Sequence, residues 1–327
     1  MKILIISTEY PTKDSPNAVP FLKRQVDHLL KSGVDVDVYH FIGRKNPINY
    51  FKAWKNLRKL TIKNKYDIIH SHFGQSAMVA LPKKLPLIVT FHGSDLIGIP
   101  KPNGEYSFIG KLLQFISRQI SLEADRVICV SKKLTNYLPK NINYEVIPCG
   151  IDLDQFKPIE KDLAKEQLGI PKDHKVIFFP GNPNRPVKNF KLAQEAVSLL
   201  NYDSVKLIPA IDIPHSQINL FYNASDVVLF TSLHEGSPTV IKEAQACNVP
   251  IVSTDVGDVK ERFNGISGNY IVSYDPKEIA AVLQNILASP NRTNSRDYLY
   301  EITEAAINDK LIRLYKSVHL TGSNYRR

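Results

Sequence analysis

Cysteine is scarce. Cys129, Cys149 and Cys247 are the only three in 327 residues, far apart and in apolar surroundings. That spacing excludes a disulfide framework or a cysteine metal site, and it fits a reducing cytoplasm. No stretch approaches the roughly 18 uninterrupted apolar residues that a spanning helix needs. The opening, MKILIISTEYP, is a short apolar run that ends in Glu9 and Tyr10 without a small-residue cleavage site. It reads as a first strand and not as a signal peptide. There is no short-period repeat, no low-complexity tract and no recognised nucleic-acid motif, so nucleic acid is not an expected partner. The first half is also short of acid. Residues 1–150 hold 22 Lys and Arg against 11 Asp and Glu, the remainder 20 against 21, so the excess behind the net charge of +10 lies in the first half. Such asymmetry points to an anionic partner of that half.

What is present is globular. Hydrophobic residues make up 43% and charged residues 23%, and the length suits two domains of ordinary size. Apolar strand-like runs occupy 2–8, 34–41, 67–73, 86–92, 126–131 and 144–150, then 175–181, 204–210, 226–232, 250–257 and 269–275. Segments with helical periodicity lie between them, such as 19–33 with its closing Gly33. Continuous apolar strands separated by helices predict parallel sheets covered on both faces, that is, two doubly wound α/β domains. The polar, proline-bearing segment 151–175 joins them. Sheets of this kind bind ligands at the carboxyl ends of their strands, so a cleft between the domains is the expected site.

One stretch, SLHEGSPTVIKEA (232–244), follows the strand at 226–232 and sets Glu235 and Glu243 on either side of a Gly-Ser-Pro turn. Ser237 is a favoured N-cap residue and Pro238 a favoured first helical residue, so a helix is expected from about Pro238 to Cys247, with Asn248 as its stop. Glu235 then sits in the loop and Glu243 within the helix. Amides and dipole at the helix start favour a phosphate. On geometry alone, an ordinary connection with solvated glutamates fits equally well.

The longer segment HEGSPTVIKEAQACNVPIVSTDVGDVKE (234–261) closely resembles the nucleotide-sugar signature of retaining GT-B glycosyltransferases, family 4 in particular. The landmarks are Glu235-Gly236, Glu243-Ala244, Pro250-Ile251-Val252, Gly257-Asp258 and Glu261, with Asp258 in place of the family's second glycine. FHGSDL (91–96), ADRVICVSKKL (124–134) and VIPCGIDLDQF (146–156) match further segments, with Cys149 at the usual Asn position. The resemblance covers roughly residues 1 to 290. It implies a GT-B fold of two Rossmann-like domains: 1–158 on the acceptor side, 159–300 binding the nucleotide sugar, and a C-terminal helix (301–327) returning to the first domain.

It also implies roles. Glu243 would accept hydrogen bonds from the ribose hydroxyls. Glu235, with the Gly236–Ser237 backbone, would hold the sugar. Backbone amides near Ser237 to Val240 (those of Ser237, Thr239 and Val240, with Pro238 shaping the turn), together with cations, would neutralise the leaving diphosphate. The family's Arg position is Asn182 here, so Arg185 and Lys188, three apart, are the available cations. His92 would hydrogen-bond the donor sugar near the reacting carbon. The loop after the first strand reads Pro16-Asn17-Ala18 where many members have a Gly-Gly pair, which leaves Asn17 on the acceptor side. His72 and Asp95 are assigned there as well. His70 and His72, two apart on one strand, share a face and lack an acidic or cysteine partner at metal spacing. Members of this type need no metal, and no cofactor beyond the donor is expected.

The expected activity is transfer of a sugar from a nucleotide sugar to an acceptor hydroxyl, with retention of configuration. Family habit makes uridine the first choice of base and guanosine the second. Alternatives are a sugar phosphorylase, a nucleotide-sugar epimerase, or a non-catalytic anion-binding module. Between 46 and 66, Ile48, Phe51, Trp54, Leu57 and Leu60 form an apolar stripe beside Lys52, Lys55, Lys59 and Lys63. Domain core with a basic edge and contact with an anionic membrane surface both fit it. The expected acceptor is a glycan or lipid-linked chain at the inner face of the membrane.

Overall fold

A computed structural model describes residues 1–13, 15, 18–44, 46–98, 107–202, 204–214 and 216–322. Two compact units divide the chain. Unit 1 takes Met1–Gly150 and the chain from Glu304 onward; unit 2 is Ile151–Thr303. The sequence put the first boundary after residue 158, yet Ile151 and Phe156 are fully buried in the core of unit 2.

Unit 1 runs β1 (Lys2–Ser7), α1 (Pro20–Lys31), β2 (Asp35–His40), α2 (Pro47–Lys63), β3 (Ile68–His72), α3 (Gly74–Ala77), β4 (Leu87–Phe91), α4 (Ser94–Ile97), α5 (Phe108–Glu123), β5 (Arg126–Cys129), α6 (Lys132–Thr135) and β6 (Tyr144–Val146). The parallel sheet has the order β2-β1-β3-β4-β5-β6. Its central strands are apolar on both faces because helices cover both. Helix α1 stops where expected: Gly33 has φ +79°, and the Gly33 and Val34 amides donate to the carbonyls of Leu30 and Leu29.

Unit 2 runs α7 (Lys161–Gln167), β7 (Lys175–Phe179), α8 (Phe190–Ser198), β8 (Val205–Pro209), α9 (Ile218–Ala224), β9 (Val227–Phe230), α10 (Thr239–Ala246), β10 (Ile251–Thr254), α11 (Val259–Phe263), β11 (Asn269–Val272) and α12 (Pro276–Ala288). Its sheet is also parallel, β11-β10-β9-β7-β8, with an apolar core on each face. The eleven strands among the described residues all lie within the eleven apolar runs of the sequence. Helix α13 (Glu304–Gly322) then belongs to unit 1, where Ile307, Leu311, Leu314 and Val318 form a buried stripe and the helix packs on α1.

One stripe behaves differently. In α2, Ala53 and Leu57 are buried and Trp54 and Leu60 partly so, but Ile48 and Phe51 are 61% and 62% exposed. Residues three apart drift by about 60° per step on a helix of 3.6 residues per turn, so the five cannot all face one core.

In each sheet the strand order reverses once, at β1/β3 in unit 1 and at β7/β9 in unit 2. Loops beyond the carboxyl ends of such a pair diverge and leave a crevice.

Candidate functional site

In unit 2 the reversal carries charge. After β7 the chain forms a tight loop: Asn182 Oδ1 accepts the Asn184 amide at 2.9 Å, and a 3-10 turn covers Pro186–Lys188. The loop after β9 is fastened to it. The Leu233 amide donates to Val187 O at 2.9 Å, and Thr231 Oγ1 donates to the carbonyls of Lys188 and Asn189. This brings together two residues 47 positions apart. Lys188 Nζ donates to Glu235 Oε1 at 2.6 Å and lies 5.2 Å from the centroid of the Phe230 ring. Ser232 Oγ donates to the same carboxylate oxygen at 3.0 Å. The two charged side chains are 14% and 19% exposed, so the pair is covered but reachable. Arg185 is exposed beside it and has no side-chain partner among the described residues.

Glu243 sits in α10, 7% exposed, and its Oε2 accepts the Tyr222 hydroxyl at 2.8 Å. Burial, together with this carboxylate, pushes Tyr222 well above the ordinary phenol value. Helix α10 starts one residue later than expected, and Ser237 does not cap it. Pro238 occupies the cap position without a side-chain hydrogen bond, while Ser237 Oγ donates to Asp258 Oδ2 at 2.8 Å. Arg262 Nε reaches the same oxygen at 2.7 Å. The carboxylate in place of a family glycine accepts the hydroxyl's hydrogen bond and holds Ser237 in the turn, outside the cap position. Asn248 does end the helix, at φ +56°, with the Val249 amide on Ala244 O. Gly257 is obligatory here: φ is +56°, and a Cβ would stand 2.6 Å from Gly236 O. The turn after β10 therefore packs backbone to backbone on the Glu235–Gly236 turn. Gly236, Ser237 and Pro238 are buried; Thr239 and Val240 are partly exposed at the helix start.

In unit 1, His92 follows β4 and His72 ends β3. His72 Nδ1 lies 3.0 Å from His92 Nε2, and Cys149 Sγ lies 3.8 Å from His92 Nδ1. Phe21 and Phe73 flank the His92 ring at 5.0 and 4.7 Å between centroids. Behind it the His70 ring lies tilted against His72, 4.5 Å between centroids, and engages the Tyr315 hydroxyl and Thr90 Oγ1, each at 2.7 Å. Burial pulls His70 down to about 3 and, together with the neighbouring His70 and His92, pulls His72 well below the imidazole range. These rings are neutral at physiological pH.

Asp95 does not face an acceptor. It is 3% exposed, and its carboxylate accepts the backbone amides of His92, Gly93 and Gly74 at 3.0, 2.8 and 3.2 Å. Burial pushes its carboxyl up to about 6, against the pull of those amides. Its place in the fold is to hold the loop that carries His92. Asn17 lies outside the described residues. Two Asp-x-Asp spacings exist in the sequence, and both are occupied by structure. Asp35 and Asp37 pair with Lys2, and Asp152 Oδ1 accepts the amides of Asp154 and Gln155. Among the described residues no group of three or more His, Cys, Asp and Glu is gathered that could hold a metal ion.

Sequence reasoning missed the Lys188–Glu235 pair, the Tyr222 partner of Glu243 and the Asp258 bridge. Only the unusual aspartate after Gly257 was a visible signal.

Comparison with known proteins agrees with this architecture. A family model described as Glycosyltransferase Family 4 matches residues 5–155, and one described as Glycosyl transferases group 1 matches residues 181–289. A protein named as the teichuronic acid biosynthesis glycosyltransferase TuaC of Bacillus subtilis is 27% identical, over 93% of this chain and 94% of its own length. A D-inositol 3-phosphate glycosyltransferase of Geodermatophilus obscurus is 26% identical over 68% of this chain, and the match spans only 60% of that relative. Among solved structures, sucrose-phosphate synthase from Thermosynechococcus elongatus superposes with a TM-score of 0.84 at 18% identity, over 98% of this chain and 99% of that one. The Anabaena protein HepE in complex with UDP superposes at 0.71 and 16% identity, over 97% and 100%.

Proposed function

Since the chain is a GT-B glycosyltransferase of the family 4 type, we propose that it moves a sugar, with retention of configuration and without a metal, from a nucleotide sugar to an acceptor hydroxyl of a cell-surface polysaccharide or glycolipid. UDP is the favoured nucleotide, because the HepE neighbour is described with UDP and UDP-glucose. The TuaC relative supports the polysaccharide setting.

The observation that carries the reading is the Lys188–Glu235 pair at the β7/β9 reversal. Lys188 leaves Glu235 for the incoming diphosphate, exposed Arg185 adds a planar guanidinium, and amides at the start of α10 receive the remaining phosphate charge. Glu235, released, accepts hydroxyls of the sugar. Glu243, already oriented by Tyr222, accepts the ribose hydroxyls. The family resemblance assigns His92 to the donor sugar. Positive charge held ready for the leaving diphosphate stabilises the transition state more than the ground state.

The basic half accounts for the acceptor's setting. Helices α2 and α5 cover the same core. Outward, α2 exposes Ile48, Phe51 and Ile62 among four lysines, and α5 exposes Phe108, Leu112, Phe115 and Leu122 beside Lys111 and Arg118. Apolar side chains with cations around them suit the cytoplasmic face of an anionic membrane, at about 1 kcal/mol per cation near the surface.

The test is a screen of UDP- and GDP-sugars with a lipid-linked or oligosaccharide acceptor, followed by the anomeric configuration of the product. Transfer with retention in the presence of a chelator is expected. Phosphorolysis with inorganic phosphate, epimerisation of donor alone, or no turnover with any donor would overturn it.

A further inference from the structure

The contact between His92 and His72 joins two ring nitrogens, 3.0 Å apart. It exists only if one ring supplies the proton and the other the lone pair. The direction is fixed one residue further back. The side-chain amide nitrogen of Gln25 faces His72 Nε2 at 3.4 Å. An amide nitrogen donates and cannot accept, so His72 Nε2 is the acceptor. Neutral His72 then has a single proton, on Nδ1, aimed at His92 Nε2. Its neutrality follows from its surroundings: the side chain is 1% exposed, His70 lies against one side of it and His92 against the other. The carboxylate of Asp95, which holds the loop carrying His92, is occupied by three backbone amides. His92 therefore receives at Nε2, and its own proton is the one on Nδ1.

That proton points at Cys149. A thiol sulfur is a weak acceptor, and 3.8 Å is a long contact. A ligand oxygen is a stronger acceptor than sulfur and displaces it easily. We propose that His72 is a positioning residue that fixes His92 in the Nδ1–H tautomer, so that His92 offers a proton donor, and not a lone pair, to the ligand oxygen that displaces Cys149. With the ring clamped between Phe21 and Phe73, the donor direction is set before the ligand arrives, which removes a reorganisation step from binding. The identity of the oxygen as a hydroxyl of the donor sugar rests on the function proposed above; the tautomer does not.

Nitrogen-15 NMR of histidine side chains, assigned with His72 and His92 variants, reads the tautomer directly. In the ligand-free wild type near neutral pH, His92 is expected to be protonated at Nδ1. His72→Asn keeps a donor near the place of Nδ1 and is expected to preserve that state. His72→Phe keeps a ring without a donor and is expected to move the His92 proton to Nε2 or to mix the two forms. In transfer assays His72→Phe should lower kcat by about tenfold or more, leave KM for the nucleotide sugar within about twofold, and be largely rescued by His72→Asn. Protonation of His92 at Nε2 in the wild type, or an unchanged tautomer in His72→Phe, would overturn the proposal. If His92→Ala transferred sugar at the wild-type rate, the assignment of His92 to the donor would fall, while the NMR result would stand by itself.

Discussion

In unit 2 the loops beyond β7 and β9 meet through Lys188 and Glu235, an ion pair; in unit 1 the ends of β3 and β4 meet through His72 and His92, two imidazole rings. Each sheet reverses its strand order once; the ion pair lies at its sheet's reversal, β7/β9, and the rings lie between β3 and β4, one strand beyond the β1/β3 reversal. A covered ion pair is suited to exchange with a charged ligand, because each partner keeps its counter-charge until the ligand replaces it. A stack of neutral imidazoles cannot neutralise a diphosphate, but it can orient one N–H. The same fold thus provides charge compensation in one unit and direction in the other. Unit 1 also exposes cations on α2 and α5, beside apolar side chains.

The strongest way to break the comparison is to discharge unit 2. Lys188→Met should lower kcat at saturating donor by about 100- to 1,000-fold, measured as sugar transfer, since it removes one preorganised charge at the leaving group. Glu243→Gln should act on binding instead. The loss of charge-assisted hydrogen bonds to the ribose is worth about 1.5–3 kcal/mol, or roughly 10- to 100-fold in the dissociation constant of the nucleotide by calorimetry, with kcat little changed.

In unit 1 the buried carboxyl sharpens the contrast through pH. The Asp95 carboxyl is raised to about 6, above its ordinary value near 3.8. Its contribution to stability is therefore complete below the ordinary value and is lost as pH rises through 6. Asp95→Asn loses an acceptor for the Gly74 amide at every pH but escapes that loss. Melting temperatures at pH 5 and pH 8 should show the variant's deficit shrinking at the higher pH, by an amount on the order of 2 kcal/mol. A deficit that grows with pH would mean that the carboxylate is favoured, not penalised, in the fold. The smallest expected effect is at the surface. Phe115→Ser in α5 should reduce flotation with vesicles containing anionic lipid by about threefold, and high salt should reduce it in both proteins.

The fold was legible because both sheets are parallel and covered on both faces, so each strand is a continuous apolar run between polar loops. Residues in one local motif were legible too: Glu235, Gly236 and Glu243 lie in the positions that their spacing implied. Contacts across loops were not. Lys188 and Glu235 are joined by fastenings such as Leu233 to Val187, which no periodicity announces. Ser237 looked like a cap because capping is a local rule, and Asp258, 21 residues on, overrode it. The α2 stripe left two readings open because a spacing of three looks helical over one turn and drifts off the core over four. Helix α5 drew no attention in the sequence, since exposure of Phe108 and Phe115 depends on what packs beside them.

Titration calorimetry with UDP and GDP tests the division between the units most directly, on the wild type, Lys188→Met and His92→Ala. Whichever nucleotide binds, Lys188→Met should weaken it by about tenfold or more, and His92→Ala should leave it within about twofold. Equal losses in both variants, or a loss confined to His92→Ala, would contradict the assignment of the charged donor site to unit 2.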